Sequence, residues 1–65
     1  MNYFQKLRHD FITKFIEKNG YINRSDIVDE FSVSIPLASK DISVWMKKNP
    51  NKISYNKRLK RYEVS

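Results

Sequence analysis

A fold of the α+β class, three helices followed by a two-stranded β-hairpin, follows from three features of this 65-residue chain. Apolar residues recur at helical spacing in three stretches, each opened by a residue suited to cap a helix. After Lys48 the run Asn49-Pro50-Asn51 breaks that pattern, because a proline forces the residue before it out of the helical region. The last stretch then alternates, Ile53 and Tyr55 around Ser54, Tyr62 and Val64 around Glu63, as two facing strands do.

The first helix is predicted from Asn2 through Lys18. Its stripe is Phe4, Leu7, Phe11, Ile12, Phe15 and Ile16, with Asn2 and Gln5 as a capping box and Asn19-Gly20 as the stop. His9 falls off this stripe beside Asp10 and is expected on the surface, without the partner that a ligand or catalyst needs. Tyr21-Ile22 reads as a short extended link. The second helix starts near Asn23 or Ser25 as N-cap and buries Ile27, Val28 and Phe31; about two turns fit before Ser32-Val33-Ser34.

The third helix organises the chain. Ser34 is its N-cap, Pro36 is tolerated in the first turn, and Ala38, Ile42, Trp45 and Met46 form the apolar stripe. Ile35, Pro36, Ser39, Lys40, Ser43 and Lys47 point the other way, with Asp41 at the margin. A short helix, a tight turn and then this helix make a helix-turn-helix, and the hairpin that follows makes it winged. The whole of residues 1–65 is expected to be one such domain. The hairpin loop Asn56-Lys57-Arg58-Leu59 has no glycine, and Asn56 is the residue expected to take its left-handed position.

Charge points to the partner. From Met1 to Met46 six Lys/Arg balance six Asp/Glu, whereas from Lys47 onward seven cations face Glu63 alone, so the entire net charge of +6 sits in the last nineteen residues. A solubilising surface would spread that charge; a block of it marks an edge that faces a polyanion, the plainer alternative being a solvated basic tail. Zero Cys excludes a disulfide framework, a zinc finger and a thiol nucleophile. One His and one Gly leave neither a catalytic pair nor a Gly-rich phosphate loop, so no enzyme, cofactor or metal site is expected. No apolar run approaches membrane-spanning length, and a cytoplasmic location is expected.

The order of elements, with Val33-Ser34 and Ala38-Ser39-Lys40-Asp41-Ile42, resembles the winged heads of DeoR-type bacterial repressors. A closer likeness covers nearly the whole chain. Asn23-Arg24-Ser25-Asp26, Phe31-Ser32-Val33-Ser34, Pro36-Leu37-Ala38-Ser39, Asp41-Ile42, Pro50-Asn51 and Tyr55-Asn56-Lys57-Arg58-Leu59-Lys60 with Tyr62 are similar to the N-terminal head of WYL-domain transcriptional regulators that control phage-defence operons. That resemblance implies a dimer on an inverted-repeat operator, the third helix reading bases and the hairpin meeting backbone or minor groove. Leu37 stands where those heads usually carry Gln, which reads adenine bidentately, so no operator sequence carries over. The chain ends at Ser65, as an excised DNA-binding domain or a solitary phage or mobile-element regulator would.

The expected function is therefore sequence-specific binding of double-stranded DNA by a transcriptional regulator, a repressor by resemblance. Ser39, Lys40 and Ser43, with Pro36 and Leu37, are expected at base edges; Arg24, Lys47, Lys57, Arg58 and Lys60 at phosphates or the minor groove, with Asn56 beside them; Ser34 caps the helix and offers its hydroxyl to a phosphate. A monomer in dilute solution is expected to pair on a palindrome. Two alternatives stay open: a protein–protein winged helix, which predicts an apolar patch at Ile35, Pro36 and Leu37, and a small architectural or excisionase-type factor. RNA binding is disfavoured because Tyr55 and Tyr62 occupy positions that a core would use, leaving no aromatic platform; no small-molecule site is evident.

Overall fold

The computed structural model describes residues 2–65. Its elements run α1 (Tyr3–Asn19), β1 (Tyr21–Ile22), α2 (Arg24–Phe31), α3 (Ile35–Lys48), β2 (Ile53–Asn56) and β3 (Arg61–Val64). The expected α+β winged helix-turn-helix is borne out, with one strand more than the sequence pattern predicts. Tyr21-Ile22 is not a link but an edge strand: it pairs antiparallel with β3, Tyr21 opposite Glu63 and Ile22 opposite Tyr62, in a sheet of order β1-β3-β2. The hairpin register places Ile53 against Val64 and Tyr55 against Tyr62, as the alternation requires.

Local chemistry sets the helix ends. The Asn2 side chain accepts the Gln5 backbone N–H at 2.8 Å, and Gly20 closes α1 in the left-handed region at φ 80°, its N–H donating to Ile16 O at 2.8 Å. A side chain there would meet nothing within 4 Å, so the glycine serves conformation and not space. Asn23, not Ser25, caps α2 in a capping box with Asp26. Ser34 caps α3 by accepting the Leu37 N–H at 3.3 Å, and the proline sits in the first turn where its missing N–H costs nothing. Left-handed Ser32 turns the chain between α2 and α3.

The core is Ile12, Ile16, Ile22, Ile27, Ala38, Ile42, Trp45 and Ile53, drawn from every helix and from β1 and β2, with Phe11, Phe15, Phe31 and Tyr62 packed on it. Aromatic edges close its rim: Phe11 meets Phe31 perpendicularly at 5.5 Å, and Phe15 meets Tyr21 at 6.1 Å. The Trp45 indole N–H donates to Thr13 Oγ1 at 2.9 Å, so the largest core side chain carries no unpaired donor.

Several burial expectations from the sequence fail here. His9 is buried, 6% exposed, and Asp41, expected at the margin of the polar face, is 1% exposed. The reason is a pairing between α1 and α3: the Arg8 guanidinium grips the Asp41 carboxylate through Nε and, at 3.3 Å, through Nη2, and His9 Nε2 lies 3.9 Å from the same carboxylate. Phe4 and Leu7 do the reverse, for the α1 stripe outruns the elements that could cover it. Phe4 is 69% exposed and Leu7 is exposed too. Tyr55 is likewise exposed, lying against Tyr62 with ring centroids 4.9 Å apart instead of entering the core.

Candidate nucleic-acid interface

Burying Ala38, Asp41, Ile42 and Trp45 turns the opposite face of α3 outward. Pro36, Lys40, Ser43 and Lys47 are all exposed and follow one another at intervals of four, three and four, so they form a single stripe. Ser39 flanks it and is half-buried. Leu37 is half-buried as well, and Ile35 at the first helical position is exposed. Arg24, exposed at the start of α2, reaches across the turn: its Nη1 lies 3.4 Å from Ser39 Oγ, which joins the two helices of the motif at the start of the stripe.

The wing is organised by Asn56. Its Oδ1 accepts both the Arg58 N–H at 2.9 Å and the Leu59 N–H at 3.0 Å, and its amide nitrogen donates to the Glu63 carboxylate. The left-handed position of the loop is Lys60, at φ 55°, and not Asn56 as expected. Asn56 supplies the turn through its side chain, in the manner of a helix N-cap, so its backbone has no need of the strained region. With both ends of its amide so engaged, Asn56 shapes the wing.

Charge at the wing is sorted by the same network. Arg61 donates to Glu63 Oε2 at 3.0 and 2.9 Å through Nε and Nη2, while its guanidinium carbon stands 4.4 Å from the Tyr21 ring centroid. The Asn56 amide, and after it the Arg61 guanidinium, hold the Glu63 carboxyl below the usual carboxylate range. Among the described residues the only Lys or Arg side chains within ion-pair distance of a carboxylate are Arg8 and Arg61. The only acidic side chain of the last nineteen residues is therefore occupied by Arg61. Lys57, Arg58 and Lys60 are left exposed at the hairpin tip, and Lys47 on the α3 stripe, without a counter-charge.

Sequence reasoning missed two features. Leu59, at the tip among those cations, is 52% exposed; the signal was a large apolar residue inside a loop that no alternation explained. The Arg8–Asp41 pair was missed because its two residues are 33 positions apart and each sits at the edge of its own helical stripe. Among the described residues no group of acidic, His or Cys side chains could hold a metal ion.

A helix-turn-helix whose second helix bears a polar, hydroxyl-rich stripe, followed by a hairpin with unpaired cations, defines the winged-helix class of nucleic-acid-facing domains. Residues 5–65 match the family described as the BrxR transcriptional regulator winged helix-turn-helix domain, and the chain belongs to that family. It is similar to the DNA-binding transcriptional repressor CapW of Pseudomonas aeruginosa, 34% identical over 61 residues, which is 94% of this chain and 20% of the relative. It is also similar to the repressor of the same description from Escherichia coli strain KTE188, 38% identical over 52 residues, 80% of this chain and 17% of that protein. The chain thus spans about a fifth of the length of the curated relatives it matches. The resemblance to regulator heads drawn from the residues is borne out.

Proposed function

We propose that this chain binds duplex DNA in a sequence-specific manner, as the DNA-binding head of a transcriptional repressor. The observation that carries the reading is the division of charge: Glu63, the one acidic side chain of the last nineteen residues, is engaged by Arg61, while five cations on the α3 stripe and the wing tip, Lys40, Lys47, Lys57, Arg58 and Lys60, have no counter-ion. In this reading Ser39, Lys40 and Ser43 meet base edges in the major groove, with Pro36 and Leu37 as apolar neighbours. Lys47, Arg24, Lys57, Arg58 and Lys60 meet phosphates or the minor groove, and the Ser34 hydroxyl turns to a phosphate at the α3 N-terminus, where the helix dipole favours an anion. Two copies pair on a palindrome with half-sites about one helical turn apart. The domain has no catalytic role, and its place is the cytoplasm.

Selection from a random DNA pool, followed by titration at several salt concentrations, tests this. The expected result is an enriched sequence, and an affinity whose logarithm falls with log salt at a slope of roughly −4 to −5, for about five neutralised phosphates. Affinity that is flat with salt, or a pool that shows no enrichment, would overturn it. The protein–protein reading has exposed apolar residues in its favour, Tyr3, Phe4 and Leu7 at the start of α1 and Ile35 with Pro36 at the start of α3. The first group lies on another element from the one the reading requires, and the second is cut short because Leu37 is half withdrawn into the fold.

A further inference from the structure

The wing tip holds an apolar side chain that the fold does not use. Leu59 is 52% exposed and belongs neither to the core nor to the apolar residues packed on it. Its neighbours in the loop, Lys57, Arg58 and Lys60, are exposed cations. Its backbone is nonetheless fixed. The Leu59 N–H is held at 3.0 Å by Asn56 Oδ1, the Arg58 N–H at 2.9 Å by the same oxygen, and Lys60 takes the left-handed turn. An exposed leucine on a pinned turn, with three exposed cations beside it in the loop, is complementary to a surface that is apolar at its centre and anionic at its edges.

We propose that Leu59 is the residue that the wing seats in the DNA minor groove, with Lys57, Arg58 and Lys60 on the phosphates that border it. This rests on the DNA-binding reading above and adds to it a contact of a different physical kind. The minor groove is about 6 Å wide, too narrow for a helix but open to one side chain from a hairpin tip. Its walls are sugar C–H faces between two rows of phosphate, and apolar side chains are what minor-groove proteins press against or between base steps. Because the turn is already ordered, little conformational freedom is lost when the side chain enters.

Titration of the wild type, Leu59→Ala and the Lys57→Ala/Arg58→Ala double variant on a duplex selected from the random pool separates the two kinds of contact. Leu59→Ala should bind about tenfold more weakly, the loss expected when half the burial of a leucine is forgone. Its salt slope should equal that of the wild type, since an apolar contact releases no counterions, whereas the double variant should show a shallower slope. Replacing adenine by 2,6-diaminopurine adds an amino group in the minor groove alone. It should weaken the wild type and leave Leu59→Ala nearly unchanged. Circular dichroism should show the same fold for all three proteins, because each side chain is exposed. Leu59→Ala binding as tightly as the wild type would overturn the inference. A diaminopurine penalty equal in both proteins would overturn it as well. Failure of the wild type to bind any duplex would bring down the DNA reading and this inference with it, so the two failures are distinct.

Discussion

Two arginine–carboxylate pairs hold this domain, and they sit in opposite surroundings. Arg8 and Asp41, joining α1 to α3, have side chains 12% and 1% exposed; Arg61 and Glu63, on one strand of the wing, are 33% and 29% exposed. The wing pair lies in water and salt, where its attraction is screened and its loss is readily rehydrated. In the seam no water replaces a missing partner, so whichever charge remains is stranded. A chain whose cations and carboxylates balance in its first forty-six residues can thus commit some of them to structure while leaving its basic end free. Charge in the seam fixes the helix that carries the polar stripe; charge on the wing is available to a partner.

The largest expected effect follows from breaking the seam. Asp41→Ala leaves the Arg8 guanidinium unpaired among buried groups and should cost about 3–5 kcal/mol. A domain of this size has a total stability of only about 3–10 kcal/mol, so urea denaturation followed by circular dichroism should show most of the cooperative transition lost. The Arg8→Met/Asp41→Leu double variant, which removes both charges together, should recover much of it. A loss under about 1 kcal/mol for Asp41→Ala would place the pair with exposed ones and erase the contrast with the wing.

His9 sharpens the same comparison through pH. Burial lowers its pKa from the ordinary value of 6.5, outweighing the neighbouring Asp41, while Lys48 and Arg8 push the same way as burial and Asp10 opposes them. Its Nε2 is buried with no hydrogen-bond partner. The unfolded chain therefore takes up the proton more readily than the folded one. The contribution of neutral His9 is complete above the unfolded pKa and is lost as pH falls through about 6.5 toward the lower folded value. Denaturation midpoints should drop between pH 7.5 and pH 5.5, and His9→Gln should flatten that drop. A midpoint that rises on acidification would mean that the carboxylate of Asp41, not burial, governs the ring.

How much of this was legible in the sequence divides along the range of the interactions. The caps at Asn2, Asn23 and Ser34, the stop at Gly20 and the facing of Tyr55 with Tyr62 depend on residues a few positions apart or on simple alternation, and each was readable. Tyr21-Ile22 is a strand only because β3 returns to it some forty residues later, and two residues carry no period of their own. Periodicity assigned Phe4 and Leu7 to a buried face correctly in angle and wrongly in depth, since it does not know where the covering helices stop. The polar stripe of α3 was readable because its complement, Ala38, Ile42 and Trp45, had to be inside; the tip leucine and the turn role of Asn56 were not, because they arise from how one four-residue loop folds on itself.

The smallest expected effect on stability, and the clearest on binding, lies at the wing. Lys57→Ala and Arg58→Ala remove exposed cations that contact no carboxylate, so each should leave the unfolding midpoint within about 0.5 kcal/mol of the wild type. Each should weaken selected and random DNA alike and shallow the salt slope by about 0.9 per lost phosphate contact. Lys40→Ala, on the α3 stripe, changes charge by the same amount but meets a base edge in this reading. It should cost about 1–3 kcal/mol on the selected sequence and less on random DNA. The comparison is thus between two exposed lysines of equal charge, and the ratio of specific to random affinity tells them apart: it should fall for Lys40→Ala and hold for Lys57→Ala. If the ratio falls for both, the wing reads sequence as α3 does; if binding and slope are unchanged for Lys57→Ala and Arg58→Ala, the wing's free charge serves some other partner, and the division of labour between seam and wing must be redrawn.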